Sequence, residues 1–215
     1  MNKCVIFDFD GIIADSNKLK IDILSQILSE FFDFPKHKIA DLLVIKSPGL
    51  NRAAYIEVLE KIKEIKIDKK KILSKINQKM NAALKDVKLN PYLKEMREYN
   101  QSVKWFIITS GNENEVKSYL TRHLIISYFL DIKGGNGNKF LSYLDLLEKY
   151  KIEKDNLIVI GDGSKDYDLI KKISCLGLLV SEWSQEPGFL TSINEPDINI
   201  IDTIKNLSLF YKKII

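Results

Sequence analysis

Cysteine is nearly absent from this 215-residue chain: Cys4 and Cys175 are the only two, far apart and each embedded in an apolar run. That excludes a disulfide framework and a zinc cluster, and it reads as two buried thiols in a reducing compartment. Histidine is as scarce. His37 and His123 cannot supply a mechanism built on several imidazoles, and neither has acidic or hydroxyl neighbours in motif spacing. Only three of the 33 basic residues are arginine (Arg52, Arg97 and Arg122), too few for bidentate readout of bases. The lysine excess behind the net charge of +4 therefore reads as solvated helix surface, with no nucleic-acid partner. No apolar run approaches the roughly 18 residues needed to cross a bilayer. The opening MNKCVIFDFDG sets two acids where a signal peptide would need apolar residues. The chain is expected to work in the cytoplasm, without a membrane partner. With 10 Gly, 5 Pro and 45% hydrophobic residues, it has the means to bury a core and little scope for disorder. Its length fits one domain, or a core carrying a smaller insert.

Short apolar runs bounded by turn residues recur at wide spacing: residues 4–7, 103–108, 157–160, 176–180 and 198–201. Each has the length and β-branched content of a strand buried on both faces. Helical stripes separate the later ones, at Leu144, Leu147 and Tyr150, with Tyr143 one step off, and at Leu169, Ile170 and Ile173. A closing helix follows from Thr203 to Tyr211. Strands alternating with helices predict an α/β domain with a parallel sheet. The first two strands are too far apart for a simple crossover, and the stretch between them is helical in pattern. Leu24, Ile27, Leu28 and Phe31 fall at i, i+3, i+4 and i+7, as do Tyr55, Val58, Leu59 and Ile62. Ile72, Leu73, Ile76 and Met80 make a similar stripe, with breaks at residues 33–36, at Ser47-Pro48-Gly49 and at Asp68. Residues of about 15–88 thus read as a helical insert on hinges near Ala14 and Leu89.

The strand ends carry the chemistry. The first is followed by Asp8-Phe9-Asp10-Gly11, two carboxylates on one side of extended chain at the edge where ligands bind parallel sheets. The plainer reading is a pair of solvated acids opening a loop, with Asp15 or Ser16 capping the next helix. Ile108 is followed by Thr109-Ser110-Gly111-Asn112, a hydroxyl and a small-residue turn suited to an anion. Ile160 is followed by Gly161-Asp162-Gly163-Ser164-Lys165-Asp166, and a glycine-rich stretch through Gly134, Gly135, Asn136, Gly137 and Asn138 leads into Lys139.

This set, in this order, resembles the haloacid dehalogenase superfamily of aspartate-nucleophile phosphohydrolases, through DFDGIIADS, FIITSGN, the lysine of GNKFLSYLDLL, and GDGSKDYD. The helical stretch is similar to the cap of members related to phosphoglycolate phosphatase and β-phosphoglucomutase. The resemblance implies a Rossmann-like parallel-sheet core at 1–14 and 89–215, with a cap domain at 15–88 inserted after the first strand. It departs at Ile12, where many relatives carry Thr or Val, and around Lys139, which lacks the Lys-Pro pair of close relatives.

The resemblance also implies roles. Asp8 would attack phosphorus and Asp10 would act as acid and base. Thr109 and the Ser110 amide would hold phosphoryl oxygens, and Lys139 would offset their charge. Mg²⁺ would sit on Asp8, Asp162 and the Asp10 carbonyl, with Asp166 acting through water, an oxygen-only set that suits a hard cation. Asp168 would point elsewhere. Arg52, beside the Pro48-Gly49 break, would meet the leaving group of a small phosphorylated metabolite. A phosphomutase, or a non-catalytic phosphate-binding module, would carry the same motifs.

Overall fold

The computed structural model describes residues 3–46, 49–135 and 137–215. The Ser47-Pro48 part of the expected break and Asn136 of the glycine-rich loop lie outside the described residues. The apolar runs become strands β1 (Cys4–Phe7), β2 (Lys104–Ile108), β3 (Asp131–Lys133), β4 (Leu157–Gly161), β5 (Leu176–Val180) and β6 (Ile198–Ile201). All pair in parallel in the order β3-β2-β1-β4-β5-β6. The chain winds outward from β1 to one edge, then returns to build the other half, so the order reverses between β1 and β4. Such a reversal opens a crevice at the carboxyl ends of the strands.

Burial on both faces explains the runs. Val5 and Phe7, Trp105 and Ile107, and Ile158 and Ile160 enter one apolar cluster, while Cys4, Ile6, Phe106, Ile108, Leu157 and Val159 enter the other. On the first face lie α5 (Leu93–Tyr99), α6 (Glu113–Arg122) and α10 (Ile204–Ile214). On the second lie α7 (Lys139–Tyr150), α8 (Ser164–Ile173) and the short α9 (Pro187–Leu190).

Between β1 and β2 run α1 (Asn17–Phe32), α2 (Lys36–Asp41) with a π-helical turn at Leu42–Lys46, α3 (Arg52–Lys63) and α4 (Lys69–Ala83). Their buried residues, among them Ile27, Leu28, Ile56, Leu59, Ile72 and Ile76, continue the first cluster. α1 ends at Asp33 in the left-handed region (φ 45°), and the Asp68 side chain caps α4 by accepting from the amides of Lys70 and Lys71. The strand entering this helical stretch pairs with the one leaving it: the Asp15 amide donates to the Lys88 carbonyl and the Asn90 amide to that of Ile13. Among the described residues, no helix is long and apolar enough to cross a membrane.

Two details differ from the sequence pattern. β3 is only three residues long and alternates polar with apolar, so it carries no apolar run. In α7 the buried face is Lys139, Ser142, Tyr143 and Leu146, one residue out of phase with the expected Leu144 stripe; Leu144 is exposed. Residues 139, 142, 143 and 146 are themselves an i, i+3, i+4, i+7 set whose first member is a lysine. In α8 the set is Asp166, Leu169, Ile170 and Ile173, again headed by a charged residue. Leu146→Ala should therefore cost about 2–5 kcal/mol in urea unfolding and Leu144→Ala less than about 0.5 kcal/mol. The reverse order would restore the Leu144 face.

Candidate active site

Asp8 continues β1 by one residue, its amide donating to the Ile160 carbonyl of β4 at 2.8 Å. Its carboxylate accepts from the Phe9 amide at 2.7 Å and lies 2.8 Å from the Lys139 ammonium. The chain then turns back, with the amides of Ile13 and Ala14 donating to the Phe9 carbonyl. Gly11 makes that turn at φ +77°, and a Cβ there would sit 2.1 Å from an Asp162 carboxylate oxygen. Backbone conformation and the close approach of Asp162 thus both require glycine.

Lys139 and Asp166 head the buried stripes of α7 and α8, so each helix aims its first turn at Asp8. The Lys139 Nζ lies 2.7 Å from Asp166 and 2.8 Å from Asp8. The other Asp166 oxygen accepts from the amides of Asp162 and Gly163, which ties the end of β4 to the start of α8. Asn138 caps α7, accepting from the amides of Phe140 and Leu141. Asp168, by contrast, faces outward and pairs with Lys165.

Carboxylate oxygens of Asp8, Asp162 and Asp166 come within 4.8 Å of one another, all three buried. One ammonium, that of Lys139, faces these three acids, leaving an excess of two negative charges. Burial, with repulsion from Asp166 and Asp10, pushes the Asp8 carboxyl up to about 7 against the pull of Lys139. Burial and the charges of Asp8 and Asp166 likewise raise Asp162 well above the carboxylate range. Burial should lower Lys139, but Asp166 and Asp8 outweigh it and hold the ammonium charged. A hard divalent cation fits this donor set: all oxygen, crowded, and short of positive charge.

Asp10 is held differently. Burial would raise it, but the Lys20 ammonium at 2.7 Å and the Ser16 hydroxyl at 2.6 Å hold it below the ordinary range. Ser16 does not cap α1 through its side chain; it serves Asp10. The sequence reading missed Lys20, although its position four residues after Ser16 on a helix start places both on one face. It also missed Asn17, whose amide donates to Asp162 at 2.6 Å and to the Trp183 carbonyl, and which accepts from Gln185.

Of the remaining expected residues, Ser110 lines a cavity of about 80 Å³ together with Asp8, Asp10 and Lys139. Thr109 is buried and is not among the residues that line this cavity; its hydroxyl accepts from the Gly111 amide at 3.0 Å. Arg52 also borders the cavity, but its guanidinium is engaged: both Glu115 oxygens accept from it at 2.6 Å, and Asn77 accepts a further bond. His123 stacks on Tyr119 and Trp105 is fully buried, so both are packing residues.

The sequence profile of haloacid dehalogenase-like hydrolases matches residues 5–176, and the chain belongs to that family. No curated protein matches it by sequence. Among solved structures it is similar to a predicted phosphatase from Clostridium acetobutylicum, at TM-score 0.74 and 19% identity, covering 100% of this chain and 98% of that one. It is also similar to a predicted phosphoglycolate phosphatase from Haemophilus somnus, at TM-score 0.72 and 16% identity over 97% of each chain. A haloacid dehalogenase-like hydrolase from Streptococcus pneumoniae matches at TM-score 0.72 and 15% identity over 98% of each. At these identities the likeness is one of fold.

The raised Asp8 and Asp162 carboxyls carry a sign. The folded state binds their protons more tightly than the unfolded chain does, so their contribution is complete below the unfolded pKa and is lost as pH rises through the folded one. The lowered Asp10 acts only at more acid pH, outside that window, and the lowered His123, partly exposed, opposes the fall only weakly within it. In chelator, the urea midpoint should fall between about pH 5 and about pH 7.5, and Asp162→Asn should flatten the fall. A midpoint that rises over this range would contradict the electrostatics.

Proposed function

We propose that the chain is a phosphatase that hydrolyses a small phosphorylated metabolite through an aspartyl-phosphate on Asp8. The observation that carries this reading is the convergence of Asp8, Asp162, Asp166 and Lys139 at the strand-order reversal, beside Asp10 and the Ser110-Gly111 turn. Phosphate esters resist anionic attack because their oxygens repel the nucleophile, so a site must place positive charge and aligned donors around phosphorus.

In this reading Lys139 and the Phe9 amide hold the Asp8 carboxylate in place while one of its oxygens attacks phosphorus. The ester P–O bond breaks and its electron pair leaves with the alcohol oxygen, which takes a proton from Asp10. Water then gives a proton to Asp10 and attacks the same phosphorus, breaking the bond to Asp8 and releasing inorganic phosphate. Thr109 donates its hydroxyl proton, and Ser110 its amide, to phosphoryl oxygens. Ionised Asp10 suits the second step; for the first it takes up a proton, which an arriving phosphate favours by competing for Lys20. Asp8 and Asp162, with the Asp10 carbonyl and Asp166 in support, would hold Mg²⁺. The ion would offset charge between nucleophile and phosphoryl group.

Residues 15–88 act as a cap hinged where Ala14 pairs with Leu89, and they supply the wall around the leaving alcohol. The enzyme works in the cytoplasm on small molecules. A mutase would return the phosphoryl group to a sugar hydroxyl, so release of inorganic phosphate separates the two activities.

Asp8→Asn should lower kcat on a chromogenic aryl phosphate by more than about a hundredfold while the circular dichroism spectrum is kept. Turnover near wild type in the folded variant would remove the covalent mechanism. Chelation should stop the wild-type enzyme and Mg²⁺ should restore it; activity surviving exhaustive chelation would remove the metal from the account.

A further inference from the structure

We infer that the ester this site takes carries no second anionic group, its alcohol being small, uncharged and apolar on one side, and that Glu115 sets this selectivity. The inference rests on the phosphatase reading above. It follows from how each cation around the cavity is employed.

Four basic side chains border the cavity: Lys20, Arg52, Lys139 and Lys165. Lys139 stands between Asp8 and Asp166, and Lys20 lies on Asp10. Lys165 is half exposed, with its stem against Gly49 and its ammonium 3.6 Å from Asp168. Arg52, at the start of α3, is positioned on the helical side away from Asp10, where an anion remote from the phosphate would need a partner. Its two terminal nitrogens meet the two Glu115 oxygens in a bidentate pair, with side-chain exposures of 12% and 6%. A carboxylate or second phosphate reaching Arg52 would have to expel Glu115 and leave that charge buried without its partner. Removing one member of such a buried pair is strongly unfavourable, because the other charge is left uncompensated.

Among the described residues, the rest of the wall on the helical side is mostly apolar. Ile21, Leu24, Leu43, Leu50 and Tyr55 line it, all from the helical stretch. An anion pressed against the four aliphatic side chains would lose its water, and the Tyr55 hydroxyl is already engaged, donating to the Leu43 carbonyl and accepting from the Leu50 amide. Glu186, which accepts a 3.3 Å bond from the Ser164 amide, also lines the cavity and adds negative charge there. The wall thus favours a neutral alcohol and repels a charged one, selectivity by a built-in unfavourable alternative.

The test compares propyl phosphate, the phosphate ester of hydroxypropionate and propanediol bisphosphate, three esters of similar skeleton. For the wild type, kcat/KM should be at least about tenfold higher for propyl phosphate than for either anion-bearing ester. Glu115→Gln, which keeps the shape and removes the charge, should raise the ratio of hydroxypropionate ester to propyl ester at least about tenfold. If Glu115→Gln does not fold, the wild-type ranking decides alone. A wild type that prefers an anion-bearing ester, or a Glu115→Gln ratio that does not move, overturns the inference and leaves the phosphatase reading standing. Absence of phosphate release from all three esters and from an aryl phosphate would instead remove the phosphatase reading beneath it.

Discussion

The ammonium of Lys139 lies 2.7 Å from Asp166 and 2.8 Å from Asp8, with all three side chains buried, and the arrangement of the site depends on that contact. A buried charge that loses its partner is among the costliest defects a fold can carry. The constraint reaches outward from there. It turns α7 so that Lys139, Ser142, Tyr143 and Leu146 face inward, and it seats α8 through the bonds from Asp166 to the Asp162 and Gly163 amides. β1 and β4, which deliver Asp8 and Asp162, are neighbours for the same geometric reason. The charge left over after Lys139 is counted is one that a hard cation would offset.

A second layer of polar contacts links this chemistry to the helices between β1 and β2. Asn17 reaches Asp162, Lys20 reaches Asp10, and Arg52 reaches Glu115. Each joins a side chain of that helical stretch to one from a strand end or from α6. Apolar contacts alone tolerate sliding, whereas a bidentate guanidinium–carboxylate pair holds one orientation. The carboxylates at the strand ends and the helical wall of the cavity are therefore kept in register by the same contacts.

Much of this was legible in the chain. β1 and β5 occupy the residues their apolar runs mark, because a strand buried on both faces has to be apolar throughout, and the edge strand β6 matches its run although Ile200 is exposed. Asp8, Asp10, Asp162, Asp166, Ser110 and Lys139 meet around one cavity, as strand-end positions in a parallel sheet require. What stayed hidden depends on distance in space. Glu115 is an ordinary helix glutamate until Arg52 is brought to it, and Arg52 consequently read as a contact for the leaving group. Lys20 looked like one lysine among many on a polar face. The phase of α7 misled for a related reason: a stripe reading counts only apolar side chains, and the residue that orients the helix is charged. β3, at Asp131–Lys133, carries too few apolar residues for its edge position to show.

The central claim is that two displacements occur at phosphorus, with Asp8 holding the phosphoryl group between them. The stereochemical course of hydrolysis tests it directly. Each in-line displacement inverts the phosphorus centre, so two in succession restore it. An aryl phosphorothioate made chiral at phosphorus by its sulfur and two oxygen isotopes, hydrolysed with Mg²⁺ in water carrying the third isotope, should give inorganic thiophosphate of retained configuration. Inversion would mean that water attacks the ester in a single step and would contradict the account.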